Sequence, residues 1–236
     1  MLVAIHQPNF FPWLGYFDKI ARADVFCWLD DVQFPKTGGT WVNRVRLLNG
    51  GKPAWVTAPV DRSYHGVRTI AEIRTRSDEP WRERLLKTLR STYGKAPHFR
   101  ELLGFLEPLI VNPCDQIADY NAAVIRELCI ALGLGAKRCV RASTLEVDGK
   151  ASERLVKLVR ALNGTGYLCG GGAADYQEDD LFASAGVKVI YQNFSHPRYA
   201  QAGTAEFVPG LSILDALMNL GFSGTASLIQ HRSAAA

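Results

Sequence analysis

Between residues 6 and 16 the chain sets four hydrogen-bonding side chains, His6, Gln7, Asn9 and Tyr16, around Trp13 in a segment punctuated by Pro8 and Pro12. An imidazole exchanges a proton near neutral pH, carboxamides hold hydroxyls or carbonyls, and a phenol donates to developing charge. Each proline fixes its own φ and pushes its predecessor out of helical geometry, so the segment is a stiff loop. For a lone histidine the alternative is a hydrogen-bonded structural residue; its polar neighbours shift the balance toward an active-site loop.

Further groups of the same kind recur downstream. Asp30 and Asp31 could orient a base, bind substrate or cap a turn, and without a histidine cluster beside them they do not read as a metal site. Gln33, Lys36, Asn43, Arg44 and Arg46 lie in a long polar stretch hinged at Gly38-Gly39. Its cations suit a phosphate or carboxylate, or else form the solvated basic face of a β-hairpin. Gly170, Gly171 and Gly172, with Tyr176 after them, would let backbone N–H groups approach an anion ahead of a helix, although they match neither a Walker loop nor a dinucleotide fingerprint. His196, Arg198, Tyr199 and Gln201 form a last polar constellation, and Ser212, Asp215 and Asn219 repeat at helical spacing, with at least one facing an interior polar network. Cys169 reads as packing rather than as a nucleophile. His6, Asp30, Asp31 and His196 are the catalytic candidates, and the others are candidates for substrate binding.

The elements that must position these groups follow from apolar patterning. Leu2–Ile5, Val25–Leu29, Tyr167–Cys169 and Gly186–Tyr191 are short apolar runs, as expected of strands buried on both faces, and Cys139–Ala142 is a shorter strand candidate. Leu14–Ala23, Ser152–Leu162 and Leu211–Leu220 have helical periodicity, residues 78–135 are mostly helical, and Ala54–Val60 is one more strand. Strand, helix, strand within the first thirty residues is a βαβ unit. The expected fold is therefore α/β: a three-layer, Rossmann-like, mostly parallel sheet with a helical insertion or subdomain at about 78–135, all within one domain spanning 1–233. The terminal alanines 234–236 are expected to be an appended remnant. Four polar loops, at 6–16, 30–46, 170–176 and 193–201, follow predicted parallel strands and so converge on one sheet edge, where open α/β sheets bind ligands.

The run IHQPNFFPWLGYFDKI resembles the N-terminal signature of the WbqC-like family, bacterial proteins whose genes tend to lie in surface-polysaccharide, including O-antigen, and other biosynthetic clusters. The likeness continues in family order through Asp30-Asp31-Val-Gln33, Asn43-Arg44-Val-Arg46, Trp55-Val-Thr57-Ala-Pro59, Tyr167-Leu-Cys-Gly170, Phe194-Ser-His196-Pro-Arg198-Tyr199-Ala-Gln201 and Leu211-Ser212-Ile-Leu-Asp215-Ala-Leu-Met-Asn219, nearly the whole chain. A second likeness is to the loop of HIGH-type nucleotidylyl transferases, but Trp13 and Tyr16 stand where that family places its histidines.

Composition bounds the partners. The 236 residues are 47% hydrophobic, and the net charge of +4 comes from 27 basic and 23 acidic residues. That charge is too mild and dispersed for nucleic acid, and suits a small anionic substrate. Five cysteines without a C-x-x-C pair indicate a reducing compartment and no zinc ribbon. Without a leader or an apolar run of membrane length, the expectation is a cytoplasmic protein with no membrane partner. A homodimer is left open, and no cofactor is identified by any motif.

The resemblance, together with base-like and anion-binding side chains, implies a biosynthetic transferase acting on a sugar or amino-sugar intermediate, nucleotide-linked or not, with acyl or aminoacyl attachment favoured over nucleotidylyl transfer. The alternative from another class is a non-catalytic ligand-binding or scaffold protein of a biosynthetic pathway.

Overall fold

The computed structural model describes residues 1–135, 137–170 and 178–233. In chain order its strands are β1 (Leu2–His6), β2 (Val25–Trp28), β3 (Arg44–Asn49), β4 (Lys52–Thr57), β5 (Arg138–Arg141), β6 (Gly166–Cys169) and β7 (Lys188–Tyr191). The α-helices are α1 (Leu14–Arg22), α2 (Trp81–Tyr93), α3 (Phe99–Ile110), α4 (Ile117–Ala131), α5 (Ala151–Ala161), α6 (Asp179–Ser184) and α7 (Ile213–Ser233), the last kinked where Gly221 takes φ 68°.

Five strands form a parallel sheet in the order β5-β2-β1-β6-β7. Because strand side chains alternate, the sheet feeds two cores. Ala4, Phe26, Trp28 and Leu168 join Phe17 and Ile20 of α1, Leu128 of α4 and Leu217 of α7. Val3, Ile5, Val25, Cys27, Tyr167 and Cys169 join Val156 and Val159 of α5 and Phe182 of α6. The result is an α/β, Rossmann-like sheet with helices on both faces, as the buried apolar runs imply. Burying each large side chain in these layers contributes roughly 1.5–3 kcal/mol. Among the described residues no helix is long and apolar enough to cross a membrane.

β3 and β4 stand apart as an antiparallel pair. The hairpin turns at Gly50-Gly51, whose φ values of 58° and 77° suit a tight two-residue turn. Gly38-Gly39, the expected hinge of the long polar stretch, lies in the loop before the hairpin.

The chain leaves β1 for β2 and β5 on one side and later adds β6 and β7 on the other, so the topology reverses between β1 and β6. There the two strands part: their pairing ends at Ala4 with Leu168, whereas β1 stays beside β2 through His6 with Trp28 and a further Leu29 N–H to His6 carbonyl bond of 2.8 Å. A crevice at such a reversal, beyond the carboxyl ends of the strands, is where open α/β folds seat ligands.

The loop from Pro8 to Trp13, which follows β1 and Gln7, is fastened at several points. Asn121 of α4 donates its side-chain amide to the carbonyls of Pro8 (2.8 Å) and Val42 (2.7 Å). Phe10 N–H donates to Trp41 O, Ser212 Oγ to Phe11 O (2.7 Å) and Ile213 N–H to Pro12 O. Phe11 sits buried at φ 40°, an unusual backbone for a bulky residue, and these bonds hold it there.

Candidate functional site

Immediately after β1, the Gln7 carbonyl accepts two side-chain hydrogen bonds, from Tyr16 Oη at 2.9 Å and from His6 Nδ1 at 3.2 Å. A carbonyl can only accept, so the Nδ1 position carries the His6 proton and Nε2 keeps its lone pair. The ring is set edge-on to Tyr16 (4.9 Å between centroids) and Trp13 (5.7 Å). Although it keeps a partly exposed edge, burial, with the Lys19 ammonium adding to it, lowers its pKa to about 3. His6 is therefore a neutral imidazole at physiological pH, fit to accept a hydrogen bond and a weak general base.

Beside it lies a pocket of about 330 Å³ in the sheet's carboxyl edge. Ile5, Leu29, Val32, Leu155 and Tyr167 give it apolar walls, and His6, Gln7, Ser152 and Arg154 supply polar groups. Ala151, at φ 45°, opens α5 against it. Arg154 is ion-paired with Asp31, which follows β2. Arg154 Nε and Asp31 Oδ1 are both buried and have no hydrogen-bond partner among the described residues. Burial pushes the Asp31 carboxyl up while Arg154 opposes the shift. An apolar chamber with a few convergent polar groups is the usual form of a small-molecule site.

Its neighbour Asp30 has a different surrounding. Fully buried, Asp30 accepts from Arg141 Nε (2.6 Å), Ser143 Oγ (2.8 Å) and Ser143 N–H (3.0 Å), and Arg141 also pairs with Asp119. Both oxygens are engaged, so Asp30 fastens the ends of β2 and β5.

Lys19 had no place among the sequence candidates. It lies on α1, three residues beyond Tyr16, and is buried. Its Nζ donates to the Ile5 carbonyl at 2.9 Å. Successive carbonyls of a strand point to opposite sides, and that of His6 faces β2, so the Ile5 carbonyl faces β6 where the ladder has opened. Lys19 thus occupies the place of the missing strand donor, and a Cβ on Gly170 would come within 3.8 Å of its Nζ. Desolvation lowers its pKa to about 8. Burial also raises the neighbouring Cys169 thiol, which disfavours a nucleophilic thiolate there.

On the other side of His6 an aromatic ladder runs outward through Trp13, Trp41 (5.0 Å) and Trp55 (4.9 Å). Arg44 and Arg46 lie over the half-exposed Trp55 at 4.1 and 6.0 Å. Phe194 packs so close to Gly15 that a Cβ there would meet it at 2.7 Å, and the segment continues to His196. His196 and Arg46 flank Gly210, whose Cβ would lie 3.9 Å from His196 Nε2 and 3.2 Å from Arg46 Nη2.

The remaining candidates are spread more widely. Asn9 is buried, and Asn43 is buried with its amide given to Ala58 O. Gln33 is exposed and bridged to Thr69, while Lys36 donates to Tyr64 O. Tyr199 and Gln201 bond Asp215 together with Tyr93, a buried network none of whose members lines the pocket. Arg198 lies over Phe207. Gly171, Gly172 and Tyr176 fall outside the described residues. The structure thus gathers His6, Gln7, Trp13, Tyr16, Asp31 and Gly170 about the crevice, and adds Lys19, Ser152 and Arg154. For Lys19 a signal existed in the sequence, a cation on the same helical face as Tyr16.

The chain matches the WbqC-like protein family over residues 7–227. It is 30% identical over 220 residues, covering 93% of this chain and 94% of its relative, to the uncharacterized protein Rv1507c of Mycobacterium tuberculosis (strain ATCC 25618 / H37Rv). No solved structure matches it. Family match and near full-length likeness together show that this chain belongs to the WbqC-like protein family.

Proposed function

We propose that the protein is a biosynthetic transferase that holds a sugar or amino-sugar intermediate in the pocket between β1, β6 and α5 and attaches an acyl or aminoacyl group to it. The observation carrying this reading is the placement of that 330 Å³ chamber at the topological reversal, with apolar walls for a ring face and polar groups for hydroxyls. His6 Nε2 and the Gln7 side chain orient the acceptor. As its amine or hydroxyl attacks the acyl carbonyl, Asp31 Oδ1, which has no hydrogen-bond partner among the described residues, takes the proton; burial raises the basicity of that carboxylate while its pairing with Arg154 opposes the shift. The leaving group departs with the acyl carbon's former bonding pair.

Nucleotidylyl transfer in the HIGH manner is the weaker reading. Tyr16 is buried with its hydroxyl given to Gln7, and Trp13 is packed between His6 and Trp41, so neither can replace an imidazole at a phosphate. The depressed pKa of His6 favours a second reading, a ligand-binding protein without catalysis.

Mass spectrometry of small molecules co-purifying with the protein tests the site. A sugar-bearing ligand retained by the wild type and lost on Leu155→Trp, which fills the pocket, supports it. Equal retention by both contradicts it. Turnover of the identified ligand with an acyl donor, abolished by Asp31→Asn, then separates transferase from binding protein.

A further inference from the structure

Among the described residues, the acids Asp18, Asp30 and Asp31 near the sheet edge already have partners. Asp18 receives Gln192 Nε2 at 2.7 Å and lies 3.8 Å from Arg22, Asp30 is bound by Arg141, and Asp31 by Arg154. Lys19 makes no ion pair among the described residues, and its one hydrogen bond there, to a backbone carbonyl, uses one of three ammonium donors. Among the described residues the groups beside it bring no countercharge: the His6 imidazole is neutral, and burial raises the Cys169 thiol. A buried cation is costly unless paired, and this one stands where two strands diverge, bonded to the carbonyl of Ile5, a residue that lines the pocket.

We propose that Lys19 is the anchor for an oxyanion on the ligand, a carboxylate or phosphate group seated in the β1–β6 crevice between His6 and Gly170. This rests on the pocket reading above and narrows its substrate class to an acid-bearing sugar or acyl donor. A Cβ on Gly170 would lie 3.8 Å from Nζ and meet no other atom of the described residues within 4 Å, so the missing side chain leaves room beside the ammonium there. The bound group would receive the two remaining ammonium hydrogens, charge-assisted bonds that replace the hydration lost on burial.

The test uses the intact protein, with inorganic phosphate and acetate as separate probes and chloride at matched ionic strength as control. Carbon-13 NMR of the lysine ε-methylenes follows the Lys19 titration directly, and Lys19→Met identifies its resonance. An upward shift of the Lys19 midpoint with phosphate or with acetate, and a weakening of that anion's binding by about tenfold or more in Lys19→Met but not in Lys19→Arg, is expected for charge-assisted bonds. Phosphate alone acting identifies a phosphorylated ligand, and acetate alone a carboxylic acid. A midpoint unmoved by both anions, or equal binding by wild type and Lys19→Met, overturns the proposal and leaves Lys19 as a cap on Ile5. If Leu155→Trp loses the co-purifying ligand while Lys19→Met retains it, the pocket stands and the anion anchor falls. If anion binding requires Lys19 but Leu155→Trp retains the ligand, the anchor stands and the pocket falls.

Discussion

Lys19 Nζ lies 2.9 Å from the carbonyl oxygen of Ile5, bridging helix α1 to the strand edge at the point where β1 and β6 separate. An ammonium there replaces a backbone donor and gives the sheet a charged terminus in place of a further ladder bond.

The same ammonium makes stability depend on alkaline pH. Its pKa falls from 10.5 in the unfolded chain to about 8 in the fold, so between those values the unfolded state binds more protons. Stability should therefore rise from pH 8 toward pH 10.5, by an amount on the order of 3 kcal/mol if nothing else titrates. Denaturant midpoints across that range for wild type and Lys19→Met check this. The variant should lack the rise, and at pH 7 should be at least as stable despite losing the Ile5 bond.

His6 acts at the acid end. Its pKa is about 3 when folded and 6.5 when unfolded, so as pH falls through 6.5 the unfolded chain gains a proton that the native state refuses. Stability contributed by the neutral ring is present above pH 6.5 and is lost progressively toward pH 3. His6→Gln should flatten that part of the profile in a pH series of unfolding midpoints. An unchanged slope would show that His6 is not the responsible group.

Asp30 should behave as a fastener. Removing its charge leaves Arg141 with the Asp119 pair alone and strands Ser143, so Asp30→Ala is expected to cost about 3–5 kcal/mol. Ligand affinity measured well below the melting temperature should change little. A stable variant that has lost activity would instead return Asp30 to the catalytic set.

Asn121→Ala should loosen the opening loop, because two carbonyls lose the amide that joins α4 to Pro8 and Val42. The expected cost is about 1–3 kcal/mol. Faster amide exchange at residues 9–13 than at β6 would locate the effect.

Much of this arrangement could be read from residue patterning, because strands buried on both faces are apolar throughout. Leu2–Ile5, Val25–Leu29 and Tyr167–Cys169 coincide closely with β1, β2 and β6, and the parallel pairing puts the residues that follow β1 and β2 on one edge. The spacing of Ser212, Asp215 and Asn219 likewise implied an interior network, and all three are buried with hydrogen bonds to Phe11, Tyr199 and Ala202. Less legible was the contrast between Asp30 and Asp31. Adjacent residues of one type differ in the partners that reach them, Arg141 and Ser143 for Asp30 and Arg154 for Asp31, each more than a hundred positions away. Lys19 is less legible because a cation inside a helix ordinarily faces water: the face it shares with Tyr16 is a signal, but the parting of β1 from β6 that gives it the Ile5 carbonyl is encoded by no local pattern.

A crystal structure of the protein with its co-purifying ligand addresses the central claim most directly. Density for a ring beside Tyr167 and Leu155, with an acidic group within hydrogen-bond distance of Lys19 Nζ and a hydroxyl or amine near Asp31 Oδ1, is the predicted result. Density elsewhere, for instance in the polar cleft between Asp61, Arg74 and Asp115 with the β1–β6 crevice holding only water, would contradict it.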